Sequence, residues 1–133
     1  MPVKLDVIRE YFLLLERLVS DAAALEDCLH PEFKQREFPN TLNPRGQESD
    51  RADALRRAAL AKNILSEQSF RIMNAVESAE QIVVEALWTG RMAVDAGPLK
   101  AGQELQAHFC IVCEFKEGKI YRQRNYDCFE PFS

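Results

Sequence analysis

Residues His108–Phe129 read HFCIVCEFKEGKIYRQRNYDCF, and this stretch decides the fold. Aromatic and β-branched residues on both sides of its middle are typical of β-strands, so we predict strands at Glu104–Phe115 and Ile120–Phe129. The segment between them, Lys116–Lys119, contains Gly118 at the position of a tight turn that favours a positive φ angle. The stretch is therefore predicted to form an antiparallel β-hairpin.

Two further strands are predicted upstream of this hairpin. Ser69–Val76 has an alternating pattern, and Gln81–Val94 is a longer run that is rich in β-branched residues at its start. A turn at Glu77–Glu80 separates them, and Gly97-Pro98 marks the connection to the hairpin. The C-terminal half is thus predicted to be a meander of four strands in one antiparallel sheet.

The N-terminal half predicts three helices and one short strand. Apolar residues at helical spacing indicate helices at Asp6–Val19 and Ala22–Leu29, and a third helix from the N-cap Asp50 to about Leu65. A short strand is predicted at Phe33–Phe38, and a loop with a turn signal follows at Asn40–Glu48.

This segregation of helices and strands predicts an α+β fold, with three N-terminal helices packed on one face of the sheet. The length of 133 residues is that of one domain, which we assign to residues 1–133. The two central strands are apolar on both faces; in one of them Val84 and Trp88 alternate with Val83 and Leu87. Because three helices cannot cover both faces, we expect a homodimer formed through the outer face of the sheet.

Composition excludes several classes of partner. The net charge is −4, whereas a nucleic-acid-binding protein usually carries a basic patch, so we expect no nucleic-acid partner. Apolar runs such as Phe12–Leu15 and Ile82–Val84 are far too short to span a membrane, so we expect no membrane partner. The N-terminus has no apolar signal-peptide core, which predicts a cytoplasmic location.

The cysteines include one pair with the spacing of a metal or redox motif, Cys110-x-x-Cys113. The pair lies within a predicted strand, where residues three apart point to opposite faces. A zinc site requires a turn there, and the chain has only two histidines. We therefore expect no metal, and no organic cofactor either.

Four short motifs occur in order along the chain. They are Leu29-His30-Pro31-Glu32-Phe33 after the paired helices, Trp88-Thr89-Gly90, Gly118-Lys119-Ile120 and Tyr126-Asp127. In this order, from about Leu5 to Pro131, the chain resembles the nuclear transport factor 2-like superfamily. Within that superfamily it resembles the SnoaL-like group, which includes polyketide cyclases and is related to the ketosteroid isomerases.

The resemblance implies a cone of curved, mostly antiparallel sheet that helices close at its wide end. It also implies an apolar pocket inside the cone and, usually, a homodimer. Known members include ketosteroid isomerases, scytalone dehydratases, polyketide cyclases and epoxide hydrolases of limonene type, and many others are binding modules. The fold alone therefore indicates no single reaction.

The ketosteroid isomerase arrangement does not carry over to this sequence. Its first-strand base position, just before a proline, holds Phe38, and its later acid position holds Ile111. Glu37 is next to Phe38 and is expected to face the opposite side of the strand unless a bulge re-aims it. Steroid isomerisation is therefore not the predicted reaction.

Asp127 is the residue that matches the catalytic aspartate of SnoaL-type cyclases on their last strand. A carboxyl group at the lip of an apolar cone would have a raised pKa, which suits proton transfer near neutral pH. His108, in the middle of an apolar strand, is the second catalytic candidate. Simpler interpretations remain: Asp127 caps the strand end or pairs with Arg124 or Arg91, and His108 is a buried neutral histidine bonded to a tyrosine or a backbone carbonyl.

Aromatic side chains are the candidates for contact with a hydrophobic ligand. Tyr11, Phe33, Trp88 and Tyr126 are predicted to line the pocket, and either tyrosine could donate a hydrogen bond to a ligand carbonyl. Glu37 is a candidate second carboxylate at the cone mouth. The alternatives are core packing for the aromatic residues and a solvent-facing strand position for Glu37.

Two classes of function are open at this point. One is a cofactor-free acid–base enzyme of isomerase, cyclase or dehydratase type that acts on a small apolar, carbonyl-bearing metabolite. The other is a non-catalytic ligand-binding or dimerisation module of the same fold. The enzyme class gains if Asp127 and His108 face one cavity, and the binding class gains if only apolar groups line it.

Overall fold

The computed structural model describes residues 3–18 and 21–132. Its helices are α1 (Lys4–Glu16), α2 (Ala22–Cys28) and α3 (Arg51–Leu60), and a turn of 3-10 helix follows at Ala61–Asn63. Each helix lies where the sequence predicts one. The predicted end of the first helix, Val19, lies outside the described residues.

Six strands form one sheet. They are β1 (Leu29–Glu37), β2 (Gln47–Asp50), β3 (Leu65–Glu77), β4 (Gln81–Met92), β5 (Glu104–Lys116) and β6 (Lys119–Phe129). The strand order is β2-β1-β6-β5-β4-β3. Strands β3 to β6 pair antiparallel, as predicted, whereas β1 lies parallel to β6. The α+β prediction is confirmed: three helices pack on a curved, unclosed, mixed sheet.

β3 begins at Leu65 rather than Ser69, because the third helix ends at Leu60 and not near Leu65. Two further differences from the predicted strands lie in the N-terminal half. β1 begins at Leu29 rather than Phe33 and includes Pro31. Proline is tolerated there because the β1–β6 register shifts between Leu29 and Lys34, so Pro31 has no partner in the ladder. β2 occupies the end of the predicted loop Asn40–Glu48 and continues beyond it. Its sequence is polar throughout, so only its pairing with β1 identifies it.

A reciprocal capping box fixes the start of α3. The Asp50 carboxylate accepts a 2.9 Å hydrogen bond from the Asp53 backbone N–H, and the Asp53 carboxylate accepts a 3.1 Å bond from the Asp50 N–H. The predicted N-cap is therefore confirmed. No residue of α3 is fully buried, and one of its polar side chains, Arg57, lines the space beneath the helix.

The main core lies between the helices and the inner face of the sheet, which is the concave face. Phe12 of α1 stacks on Phe70 of β3 with ring centroids 4.6 Å apart. Ile8, Phe33 and Ile82 are among the most completely buried side chains. Burial of these apolar surfaces is the principal term that holds α1 against the sheet.

Alternation along β5 and β6 sorts their side chains between the two faces. Cys113 is fully buried in the core, and Cys110, three residues earlier, lies on the outer face of β5. The hairpin turn has a positive φ of 78° at Gly118, as its sequence predicts. Within residues 3–18 and 21–132 no group of three or more histidine, cysteine, aspartate or glutamate side chains is arranged to hold a metal ion. None of the helices in those ranges combines the length and apolar character that a membrane crossing requires.

Candidate functional site

A cavity of about 610 Å³ lies between the helices and the inner face of the sheet. Side chains of α1 and α3 cover it, and β1 and β3 to β6 form its walls. This volume is in the range of small-molecule binding sites. Two chemically different walls meet in it.

The apolar wall is built from β3, β4, β5 and the end of β6. Trp88 and Phe109 stack with a 5.7 Å centroid distance and a 12° interplanar angle. The indole Nε1–H of Trp88 donates a 2.9 Å hydrogen bond to Gln68, so the polar edge of the ring is satisfied. The wall consists of Phe70, Trp88, Met92, Leu105, Phe109 and Phe129.

The polar wall faces it across the cavity. Because β1 and β6 are parallel neighbours, their inward-facing residues lie side by side: Gln35 pairs with Gln123 and Glu37 with Asn125. Asp127 continues the inward series of β6 towards the end of that strand. With Arg57 from α3, the polar wall consists of Gln35, Glu37, Arg57, Gln123, Asn125 and Asp127.

An amide cluster orders the middle of the polar wall. Asn125 Oδ1 accepts a 3.0 Å hydrogen bond from Gln35 Nε2 and a 2.9 Å bond from Gln123 Nε2. All three side chains are buried. The cluster fixes the orientation of Asn125, whose neighbour along the inner face is Asp127.

Asp127 has the most perturbed carboxyl group of the polar wall. Burial, assisted by the nearby charge of Glu37, raises the pKa of Asp127 to about 7, although Asn125 opposes the shift. The Oδ1 atom of Asp127 is buried and has no hydrogen-bond partner among the described residues, so no donor stabilises the ionised form at that oxygen. A carboxyl group of this kind can both accept and donate a proton near neutral pH.

Glu37 faces the cavity, contrary to the orientation expected without a bulge. Its Oε2 atom accepts a 2.8 Å hydrogen bond from Asn40 Nδ2, and its Oε1 atom lies 3.8 Å from Arg57 Nη1. The next residue, Phe38, stacks instead on Tyr126 of the outer face, at a centroid distance of 4.7 Å. No bulge re-aims Glu37: the register shift lies between Leu29 and Lys34, and regular alternation from Phe33 through Gln35 turns Glu37 inward and leaves Phe38 outward.

His108 lies on the opposite face of the sheet from Asp127. Phe109, not His108, is the β5 residue paired with Asp127, so strand alternation sends His108 outward. Its side chain is 62% exposed, and Nε2 is 2.9 Å from the Glu130 carboxylate. The expectation of a buried histidine that shares a ligand with Asp127 is therefore wrong.

The four aromatic candidates divide between the cavity, the core and the outer face. Tyr11 and Trp88 line the cavity, as predicted. Burial raises the pKa of Tyr11 to about 12, so its hydroxyl group keeps its proton, and the side chain of Gln123 beside it partly opposes the shift. Phe33 is completely buried in the core and does not line the cavity, and Tyr126 is 42% exposed on the outer face. The predicted ligand contacts of these last two residues are corrected accordingly.

Comparison with known proteins identifies the family. A family model described as a SnoaL-like domain matches residues 8–123. The chain belongs to the SnoaL-like domain family. No curated protein matches this chain.

Solved structures share the fold of this SnoaL-like domain. It is similar to IdmH from Streptomyces antibioticus, with a TM-score of 0.76 and 13% identity over 92% of this chain and 89% of that one. It is also similar to a SnoaL-like polyketide cyclase from Agrobacterium tumefaciens (TM-score 0.71, 12% identity, 96% and 92% covered). An NTF2-like protein of unknown function from Burkholderia pseudomallei gives a TM-score of 0.71 at 18% identity, with 98% and 92% covered. At these identities the likeness concerns the fold.

Sequence reasoning missed most of the polar wall of this SnoaL-like domain. Gln35, Arg57, Gln123 and Asn125 were not among the candidates. A signal for two of them exists in the sequence: Gln123, Asn125 and Asp127 alternate with outward residues, so three polar side chains occupy consecutive inward positions of one strand. Arg57 carries no such signal, because only the packing of α3 places it over the cavity.

Proposed function

We propose that this SnoaL-like domain is a cofactor-free acid–base enzyme, of isomerase, cyclase or dehydratase type, for a small apolar metabolite that carries a carbonyl group. The observation that supports it is Asp127, a carboxyl group with a pKa of about 7 in the polar wall of a cavity whose other wall is apolar. A base with such a pKa is stronger than an ordinary carboxylate and is still ionised in a large fraction of molecules at neutral pH.

The proposed step is proton abstraction next to the carbonyl. Ionised Asp127 takes the proton from the carbon beside the carbonyl, and the C–H electron pair forms a C=C bond. The carbonyl π electrons move to oxygen, which gives an enolate, and Tyr11 is the candidate hydrogen-bond donor to that oxygen. Protonated Asp127 then returns a proton to the same or another carbon. His108 takes no part in this step because the sheet separates it from the cavity.

Deuterium exchange into a simple ketone tests the proposal. 1-Tetralone is an apolar bicyclic ketone with exchangeable hydrogens beside its carbonyl, and its exchange in D₂O is followed by NMR. We expect the wild-type protein to accelerate exchange and Asp127→Asn to lower that acceleration by roughly a hundredfold or more. His108→Gln, on the same pair of strands but on the outer face, is the matched control and should leave the rate unchanged.

A non-catalytic pocket is the alternative outcome of the same experiment. Trp88 is the only tryptophan of the chain and lines the cavity, so quenching of its fluorescence reports occupancy. Tetralone that quenches Trp88 without accelerated exchange would support a ligand-binding module and contradict the acid–base proposal. Equal exchange with wild type and Asp127→Asn would remove Asp127 from the mechanism.

We also propose that a second copy of the chain packs on the outer face. Val83, Leu87 and Val112 are only half-buried there, and Tyr126 is 42% exposed. Light scattering of the wild type should give the mass of a dimer, and Leu87→Lys should give that of a monomer. Leu13→Lys, at an exposed leucine of α1, is the control that should remain dimeric. A monomeric wild type at micromolar concentration would contradict this assembly.

A further inference from the structure

Arg57 is the only cation in the polar wall, and its hydrogen bonds are incomplete. Nη1 contacts Gln47 Oε1 at 3.3 Å, and Nη2 contacts Gln35 Oε1 at 3.3 Å. The nearest carboxylate oxygen, on Glu37, is 3.8 Å from Nη1. Nε is buried and has no partner among the described residues. The guanidinium is thus held in place but weakly compensated.

Other arginines of the chain have guanidinium groups that are compensated by a nearby carboxylate. Arg36 is 2.8 Å from Glu48, and Arg124 is 2.7 Å from Glu114. These distances are typical of charge-assisted hydrogen bonds to carboxylates, whereas the two 3.3 Å contacts of Arg57 are to neutral amides. Only 34% of the Arg57 side chain is exposed, so water supplies less compensation than it does at a surface arginine.

Nε and Nη2 of Arg57 share one edge of the guanidinium, and Nε, which is buried, is the nitrogen without a partner among the described residues. Glu37 lies at the Nη1 end, and Nε and Nη2 form the other edge, where the Gln35 contact is the only bond. Two parallel N–H donors on one edge match the two oxygens of a carboxylate. A carboxylate that replaced the Gln35 contact would bond Nε and Nη2 together.

We propose that Arg57 is a specificity-determining residue that binds a carboxylate of the substrate, so that the metabolite is an apolar carbonyl compound with an acid group. This inference rests on the function proposed above. Arg57 belongs to α3 and Asp127 to the end of β6, so different elements would hold the carboxylate and the reacting carbon of the substrate. Binding energy from such a remote group orients the substrate along the polar wall while its rings lie against the apolar wall.

A matched pair of naphthalene ligands tests the inference. 2-Naphthoate carries a carboxylate, and 2-acetylnaphthalene is a neutral ketone of similar size and shape. Their affinities are measured by calorimetry and by quenching of Trp88. We expect wild type to bind naphthoate at least tenfold more tightly than the ketone. Arg57→Gln should remove that preference, so that the affinity for naphthoate falls at least tenfold more than the affinity for the ketone.

Two further variants make the result specific to Arg57. Arg56→Gln removes the same charge from the adjacent residue of α3, where the side chain is 62% exposed and paired with Asp53, and should keep the preference. Arg57→Lys keeps the charge but not the two-donor edge and should bind naphthoate with intermediate affinity. Circular dichroism checks that each variant is folded.

Several outcomes would overturn the inference. They are equal wild-type affinities for both ligands, no binding of either ligand, an unchanged preference in Arg57→Gln, or an equal loss in Arg56→Gln. None of these depends on the tetralone exchange. Exchange that requires Asp127 without any preference for naphthoate refutes the role of Arg57 alone. Exchange that is independent of Asp127 refutes the proposed function.

Discussion

The inner and outer faces of β5 and β6 differ in whether their ionisable side chains have partners. On the outer face, His108 is 2.9 Å from Glu130 and Arg124 is 2.7 Å from Glu114. On the inner face, Asp127 has a buried carboxyl oxygen without a partner and a pKa raised to about 7. The charged residues named on the outer face are thus paired, whereas Asp127 on the inner face has an oxygen without a partner, and only Asp127 suits proton transfer.

The difference has an energetic meaning. An exposed pair contributes little to stability, and its loss costs little, because water solvates both partners. A buried carboxyl group without a full set of partners destabilises the folded protein whenever it is ionised. Groups of this second kind concentrate at functional sites, where local instability is part of the chemistry.

The largest effect should come from the part of the inner face that belongs to the core. Phe33→Ala removes a completely buried side chain and should lower the free energy of unfolding by about 3–5 kcal/mol. Ligand affinity measured by Trp88 fluorescence should remain unchanged below the unfolding transition, because Phe33 does not line the cavity.

Phe38→Ala is the control for Phe33, since Phe38 stacks with Tyr126 on the outer face. Its cost in urea denaturation should be less than half that of Phe33→Ala. A larger cost at Phe38, or a loss of ligand affinity in a folded Phe33→Ala protein, would contradict the division between core, cavity and outer face.

The second effect is a pH dependence of stability at Asp127. Its pKa is 3.8 ordinarily and about 7 in the folded protein, so between these values the native state holds a proton that the unfolded state has released. The protonated carboxyl group of Asp127 therefore makes its full contribution to the free energy of unfolding below pH 3.8. This contribution is lost as the pH rises to about 7, and its upper limit is about 4 kcal/mol. Asp127→Asn cannot ionise and should become more stable than wild type at pH 8.

Urea denaturation between pH 4.5 and 8 measures this effect. The two proteins should have diverging free energies of unfolding as the pH rises, with the gap complete above pH 7. Parallel curves would mean that Asp127 is an ordinary exposed carboxylate in solution. The carboxyl group of the polar wall would then not differ in pKa from those of the outer face.

The sequence predicted the strands of the C-terminal half better than the contents of the site. The hairpin of β5 and β6 is encoded locally, by strand-forming residues around Gly118, and so it could be predicted. Asp127 could be predicted as a site residue because it matches a motif of the SnoaL-like family. The parallel pairing of β1 with β6, which brings Glu37 close enough to raise the Asp127 pKa, joins segments far apart in the chain and leaves no local signal.

The failures at His108 and Tyr126 have a single physical cause. Both residues alternate with inward-facing ones, and each strand has similar residues on its two faces: β5 is largely apolar on both faces near His108, and β6 is largely polar on both faces near Tyr126. A strand with one polar face would have fixed the assignment. The apolar outer face of β5, which indicated a dimer, therefore also obscured the orientation of His108.

A third, smaller effect should appear in the amide cluster. Asn125→Ala leaves the buried donors of Gln35 and Gln123 without their acceptor, which should cost about 1–3 kcal/mol in urea denaturation.

Because Asn125 opposes the raised pKa of Asp127, the variant should also shift the pH profile of tetralone exchange to higher pH. Asn74→Ala is the control, since Asn74 bonds Glu85 on the outer face and is exposed. An unshifted profile would separate the amide cluster from the chemistry.

The smallest effect should be that of His108→Gln on stability. His108 and Glu130 are 62% and 48% exposed, so their contact should contribute less than about 1 kcal/mol to the free energy of unfolding. Salt should reduce even this contribution, since both groups lie within reach of mobile ions. Urea denaturation in 10 mM and 500 mM sodium chloride measures it. A loss above about 2 kcal/mol would mean that water does not reach the pair in solution, because a contact of that strength requires burial. If the loss also depended on protein concentration, contact with a second copy on the outer face would be its cause. Both faces would then be covered, the inner one by the helices and the outer one by the second copy.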